Sequence, residues 1–118
     1  MVKACAHMHK MGIMHRDIKP ENMLLSRNGI LKVCDMGFAR HINSQKPLTE
    51  YVSTRWYRAP ELLIESAGYS SGIDVWAIGC IYVELLTGKP LFSGRNDYDM
   101  LKLILAMFHS SEELPQEL

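Results

Sequence analysis

Apolar and polar positions change their spacing several times along this chain, and each change marks a predicted element. Met1 to Gly12 carries a helical pattern from its first residue with no capping residue ahead of it, and reads as the second half of a helix. Gly12 suits the left-handed position that stops a helix. Two short apolar runs, Met23-Leu24-Leu25 and Ile30-Leu31-Lys32-Val33, flank Asn28-Gly29, which predicts a β-hairpin. From Asp35 to Pro60 the periodicity lapses, and a segment that long without a regular pattern predicts an ordered, functional loop. A short helix is expected over 61–66, after Pro60. Ile73 to Thr87 is apolar on nearly all sides and stops at Gly88, which predicts a helix buried on every face. Asn96 or Asp97 can cap a last helix through about Phe108, and the stretch from Ser110 to Leu118 is acidic.

Composition narrows the class without giving a function. The 118 residues are 47% hydrophobic and 22% charged, the balance of a soluble globular protein. Lys and Arg total 13 and so do Asp and Glu, which removes the electrostatic case for nucleic acid or an anionic membrane as partner. Cys5, Cys34 and Cys80 are far apart, out of metal-ligand spacing, and read as reduced thiols of an intracellular protein, cytoplasmic or nuclear. No signal peptide is expected at Met1 to Cys5, and Val75 to Leu86 is too short to span a bilayer.

The chemistry lies in His15-Arg16-Asp17-Ile18-Lys19-Pro20-Glu21-Asn22. Phosphoryl transfer needs an acceptor hydroxyl oriented and its proton received, which a carboxylate at Asp17 can do. Lys19 can neutralise charge on the moving phosphoryl group, and Asn22 can offer an amide oxygen to a divalent cation. This run resembles the catalytic loop of eukaryotic protein kinases. Asp35-Met36-Gly37, after the second hairpin strand, resembles their metal-binding Asp-Phe-Gly. Ala59-Pro60-Glu61 resembles the end of their activation segment, and Asp74-Val75-Trp76-Ala77-Ile78-Gly79-Cys80 their central helix. Arg55-Trp56-Tyr57-Arg58 is similar to the CMGC group, and Thr49-Glu50-Tyr51 to the dual-phosphorylation motif of MAP kinases.

The resemblance implies an α+β, mainly α fold: part of the kinase large lobe, with a short β-hairpin and a buried central helix. It implies one partial kinase domain over 1–118, with catalytic loop 15–22, metal loop 35–37, activation segment 35–61, central helix about 73–87 and last helix about 97–108. The cofactors implied are ATP and Mg²⁺, the metal held by Asn22 and Asp35, with Leu24 under the adenine. Asp17, Lys19, Asn22 and Thr54 carry catalysis, Thr54 bridging Asp17 and Lys19. Met36, in place of Phe, is expected to pack on His15, for which a flexible thioether is suited. Arg16 and Arg40 are expected to hold phosphothreonine at Thr49, and Arg55 and Arg58 phosphotyrosine at Tyr51, since guanidinium forks suit phosphate.

The activity implied is that of a MAP-kinase-like Ser/Thr kinase acting on protein substrates, with a weaker indication of proline after the acceptor, under an upstream activating kinase. Cyclin-dependent-kinase-like families carry similar segments and are the alternative subfamily; a non-catalytic interaction module is the alternative function. By the same resemblance, the Gly-rich loop, the strand Lys and its partner Glu belong to a small lobe ahead of Met1. The Arg that would pair with Glu61 lies beyond the last helix. The stretch alone is therefore expected to be marginally folded and inactive.

Overall fold

The computed structural model describes residues 1–44 and 54–109. Helix α1 (Val2–Lys10) runs into Gly12, whose φ of +74° is the left-handed stop expected of it. A two-residue strand β1 (Ile13–Met14) follows, then the catalytic loop and a 3₁₀ turn at Pro20–Asn22. Strands β2 (Met23–Leu25) and β3 (Leu31–Val33) form the predicted hairpin, with Leu24 opposite Lys32. Its turn is not the two-residue mirror turn that Asn-Gly most often makes. Gly29 alone takes a positive φ, and Ser26 pairs with Ile30 across a three-residue loop.

Strand β4 (Arg40–His41) pairs antiparallel with β1, Met14 opposite Arg40, and the Ile42 N–H reaches the Gly12 carbonyl at 2.8 Å. The aperiodic segment is thus folded back beside the catalytic loop at its start. Helix α2 (Pro60–Leu63) is shorter than the expected 61–66; Pro60 occupies its first turn, where a missing N–H leaves nothing unsatisfied. Helix α3 (Gly72–Thr87) ends at Gly88, φ +75°. Helix α4 (Asp97–Phe108) is capped by Asn96, whose side-chain oxygen accepts the Asp99 N–H at 2.8 Å.

The main core joins Cys5 of α1, Leu63 of α2, Ala77, Cys80 and Ile81 of α3, Met100 and Ile104 of α4, and Ile18, Tyr57 and Phe92 from the connections. A second cluster, Met14, Ala59 and Ile73, sits under the β1–β4 pair. Trp76 packs against both clusters and stacks on Phe92 with ring centres 5.9 Å apart.

One expectation needs correction. Helix α3 is not buried on every face: Val75, Tyr82, Leu85 and Leu86 are each more than half exposed, and space is open beside Gly79. Positions 75, 79, 82 and 86 share a stripe at helical spacing. The other side of α3 meets α1 and the main core, so the described residues cover only part of its apolar circumference.

Candidate active site

Residues 15–18 are buried, and one carboxylate fixes the loop they belong to. Asp74, in the first turn of α3, is 1% exposed. Its Oδ2 accepts the backbone N–H of His15 at 2.8 Å and its Oδ1 accepts that of Arg16 at 2.9 Å. The N–H groups that Asp74 serves are those of the 15–22 loop, so a helix start and that loop are fixed to each other. Arg16 takes φ +69°, a left-handed conformation that costs a non-glycine residue about 1–3 kcal/mol. A hydrogen bond to a charged group contributes about 1.5–3 kcal/mol, enough to offset that strain.

His15 is fully buried and serves as a frame. Its Nδ1 accepts the Asp17 N–H at 3.1 Å, so the ring proton sits on Nε2 and is donated to the Cys34 carbonyl at 2.8 Å. An imidazole with both nitrogens occupied is a brace. The Cys34 N–H in turn donates to the Asn22 carbonyl at 2.9 Å. Both sides of Cys34 therefore bind the start of the metal loop to the catalytic loop. Asp35 follows at φ +60°, which Asp tolerates better than most residues, and its Oδ1 accepts the Gly37 N–H at 3.2 Å.

Asp17, Lys19 and Asn22 converge. Asn22 Nδ2 donates to the Asp17 carbonyl at 2.8 Å and to Asp17 Oδ2 at 3.1 Å, while Lys19 Nζ lies 3.6 Å from the same Oδ2. The amide hydrogens of Asn22 are spent on Asp17, which leaves its oxygen as the end available to a cation. Asp35 is exposed. Two oxygen donors on adjoining loops suit a hard divalent ion such as Mg²⁺.

Residues 1–117 match the family model described as the protein kinase domain. The chain belongs to the protein kinase family. It is 54% identical over 97 residues to mouse cyclin-dependent kinase-like 4, covering 82% of this chain and 28% of that protein. It is 45% identical over 113 residues to mitogen-activated protein kinase 6 of Arabidopsis thaliana, covering 96% of this chain and 29% of that protein. It is 49% identical over 111 residues to cyclin-dependent kinase-like 2 of the rat, covering 93% of this chain and 22% of that protein. These relatives are CMGC kinases, and the chain spans less than a third of their length.

Around this kinase core, the four arginines expected to receive phosphate make the following contacts. Arg16 donates from Nε to the Phe38 carbonyl at 2.6 Å and from Nη1 to the Tyr69 hydroxyl at 2.6 Å. With Asp17, Lys19, Thr54 and Arg58 it lines a cleft of ≈ 20 Å³, room for about one water molecule. Arg40 donates to the Ala39 carbonyl at 2.8 Å. Arg55 Nε lies 2.6 Å from Asp97 Oδ1 at the start of α4. It lines a larger cavity of ≈ 460 Å³ with Pro20, Glu21, Trp56, Glu84 and Arg95. Thr49 and Tyr51 lie outside the described residues.

Other expected positions are placed as follows. Met36 is 49% exposed and joins neither core cluster, while the brace from His15 reaches the Cys34 backbone. Leu24 is 58% exposed and opposite Lys32, an open apolar surface rather than hairpin core. Glu61 makes no ion pair among the described residues.

Two residues that sequence reasoning missed also hold the site. Tyr57 donates its hydroxyl to Glu84 Oε2 at 2.6 Å, and burial followed by that carboxylate pushes the phenol well above its ordinary range. Trp56 Nε1 donates to the Gly94 carbonyl at 3.1 Å, tying the 54–59 segment to the approach of α4. An aromatic pair between two arginines carries no periodic signal that would reveal either partner.

Proposed function

We propose that this stretch is the catalytic part of a Ser/Thr protein kinase of MAP-kinase-like or cyclin-dependent-kinase-like type. Such an enzyme transfers the terminal phosphoryl group of ATP to protein hydroxyls. The convergence of Lys19 and Asn22 on Asp17, with Asp35 tied alongside through Cys34, is the observation that carries this reading. Asp17 orients the acceptor hydroxyl and receives its proton. Lys19, held beside that carboxylate, faces the charge that develops on the phosphoryl group. Protein kinases generally use ATP with Mg²⁺; Asn22 and Asp35 would hold the ion, which would supply positive charge against the phosphates. Leu24 offers an apolar surface for the base.

Thr49 and Tyr51 are the proposed phosphorylation sites of an upstream kinase, with Arg16, Arg40, Arg55 and Arg58 as the receiving charges, and an intracellular setting suits the free thiols. Because the chain spans less than a third of its relatives, activity is proposed for the full-length protein and not for residues 1–118 alone. The test is phosphate transfer from labelled ATP to Ser-Pro and Ser-Ala peptides by the full-length protein with Mg²⁺. Transfer that Asp17→Asn abolishes is expected, and equal labelling by protein and variant would overturn the reading. A preference between the two peptides tests proline direction separately.

A further inference from the structure

Beside Asp74, whose carboxylate seats the catalytic loop, stand two side chains that the phosphoryl-transfer reading does not use. Cys5 and His9 stand four residues apart on α1, hence on one face. Cys5 Sγ lies 3.7 Å from His9 Nε2, and His9 Nε2 lies 2.8 Å from Asp74 Oδ2. All three ligand atoms fall within 4.8 Å of one another. Cys5 and Asp74 are buried, while His9 remains partly open to solvent.

We propose that Cys5, His9 and Asp74 form a binding site for a zinc-type divalent ion, with water as its fourth ligand. Thiolate, imidazole and carboxylate are the donors such an ion prefers, and three protein ligands with one open position is a common arrangement. Tetrahedral bonds of about 2.0–2.3 Å set donor atoms roughly 3.4–3.6 Å apart. The Cys5–His9 spacing already matches. The His9–Asp74 spacing has to open by roughly 0.6 Å, the difference between a hydrogen bond and two bonds to a shared ion. The protons balance simply. The Cys5 thiol proton leaves to water, and the imidazole proton moves from Nε2 to Nδ1, freeing Nε2 as a ligand. Asp74 Oδ2 keeps a second lone pair for the His15 N–H, so the ion shares a carboxylate with the catalytic loop. Binding and the seating of that loop are then linked.

The probe is Co²⁺, whose thiolate charge-transfer absorption reports Cys–metal bonding directly, followed by displacement with Zn²⁺. Full-length protein, Cys5→Ser, His9→Gln and Cys34→Ser are titrated, with circular dichroism to establish that each is folded. Expected are one equivalent of Co²⁺ with the thiolate band in the parent and in Cys34→Ser, displaced by Zn²⁺. In Cys5→Ser the band is lost, and in His9→Gln affinity falls at least tenfold. No band in the folded parent, or a band that survives Cys5→Ser, would overturn the site. The readout is metal binding and needs no kinase activity, so it stands apart from the test of phosphate transfer.

Discussion

Replacing Asp74 by Asn removes one charge and nothing of the side chain's shape, and the structure sets the size of the effect. Two backbone N–H groups, those of His15 and Arg16, end on its two oxygens, and the carboxylate is withdrawn from water. Asn has one oxygen, so one donor keeps an acceptor while the other meets an amide N–H₂. An orphaned buried donor costs about 1–3 kcal/mol. The surviving bond loses its charge assistance, about 1 kcal/mol more. A loss of about 2–4 kcal/mol follows, a large fraction of the 5–15 kcal/mol typical of a folded protein. The assay is equilibrium urea unfolding of the full-length protein and variant, paired with hydrogen exchange at individual amides. The amides of His15 and Arg16 should lose protection ahead of those in α4. A destabilisation under about 0.5 kcal/mol with both amides still protected would refute the role given to Asp74, since that is the range of an uninvolved surface substitution.

Further outcomes follow from single contacts. A Cβ added at Gly94 would sit 2.6 Å from the Met100 backbone nitrogen, so Gly94→Ala should cost about 1–3 kcal/mol in unfolding, as overpacking does, with α4 displaced. Asn96→Ala removes the cap bond to Asp99 and should cost about 1 kcal/mol, read in the same unfolding experiment. Burial pushes the thiols of Cys5 and Cys80 up from 9.0 to about 11 each. The folded state holds those protons more tightly, so the stabilisation is complete below about pH 9 and is lost as pH rises towards 11. Unfolding midpoints measured across that window should fall, and a Cys5→Ala, Cys80→Ala pair should flatten the slope.

The sequence was most legible where one residue carries one physical signal. Gly12 and Gly88 mark their helix ends because a left-handed φ suits glycine, and Asn96 marks the start of α4 because its oxygen fits an N-cap. The 15–22 loop was legible as a candidate site, since Asp17, Lys19 and Asn22 are polar groups packed into one short run whose side chains the structure brings together. The β1–β4 pair was not, because two-residue strands are too short to show alternation. The exposure of Met36 was not legible either, because the described residues cover only about half of its side chain. The Tyr57–Glu84 bond joins residues 27 positions apart, and no local pattern encodes such a partner.

The uncovered stripe of α3 governs how this polypeptide can be handled. Val75, Tyr82 and Leu86 present an apolar ridge to water, with Leu85 beside it. Such ridges adsorb to plastic, bind hydrophobic dyes and recruit chaperones, and in concentrated solution they find one another. Expression boundaries for this kinase are therefore best judged by whether the product still binds such a dye. A preparation in which α3 is covered should bind less of it than residues 1–118 do.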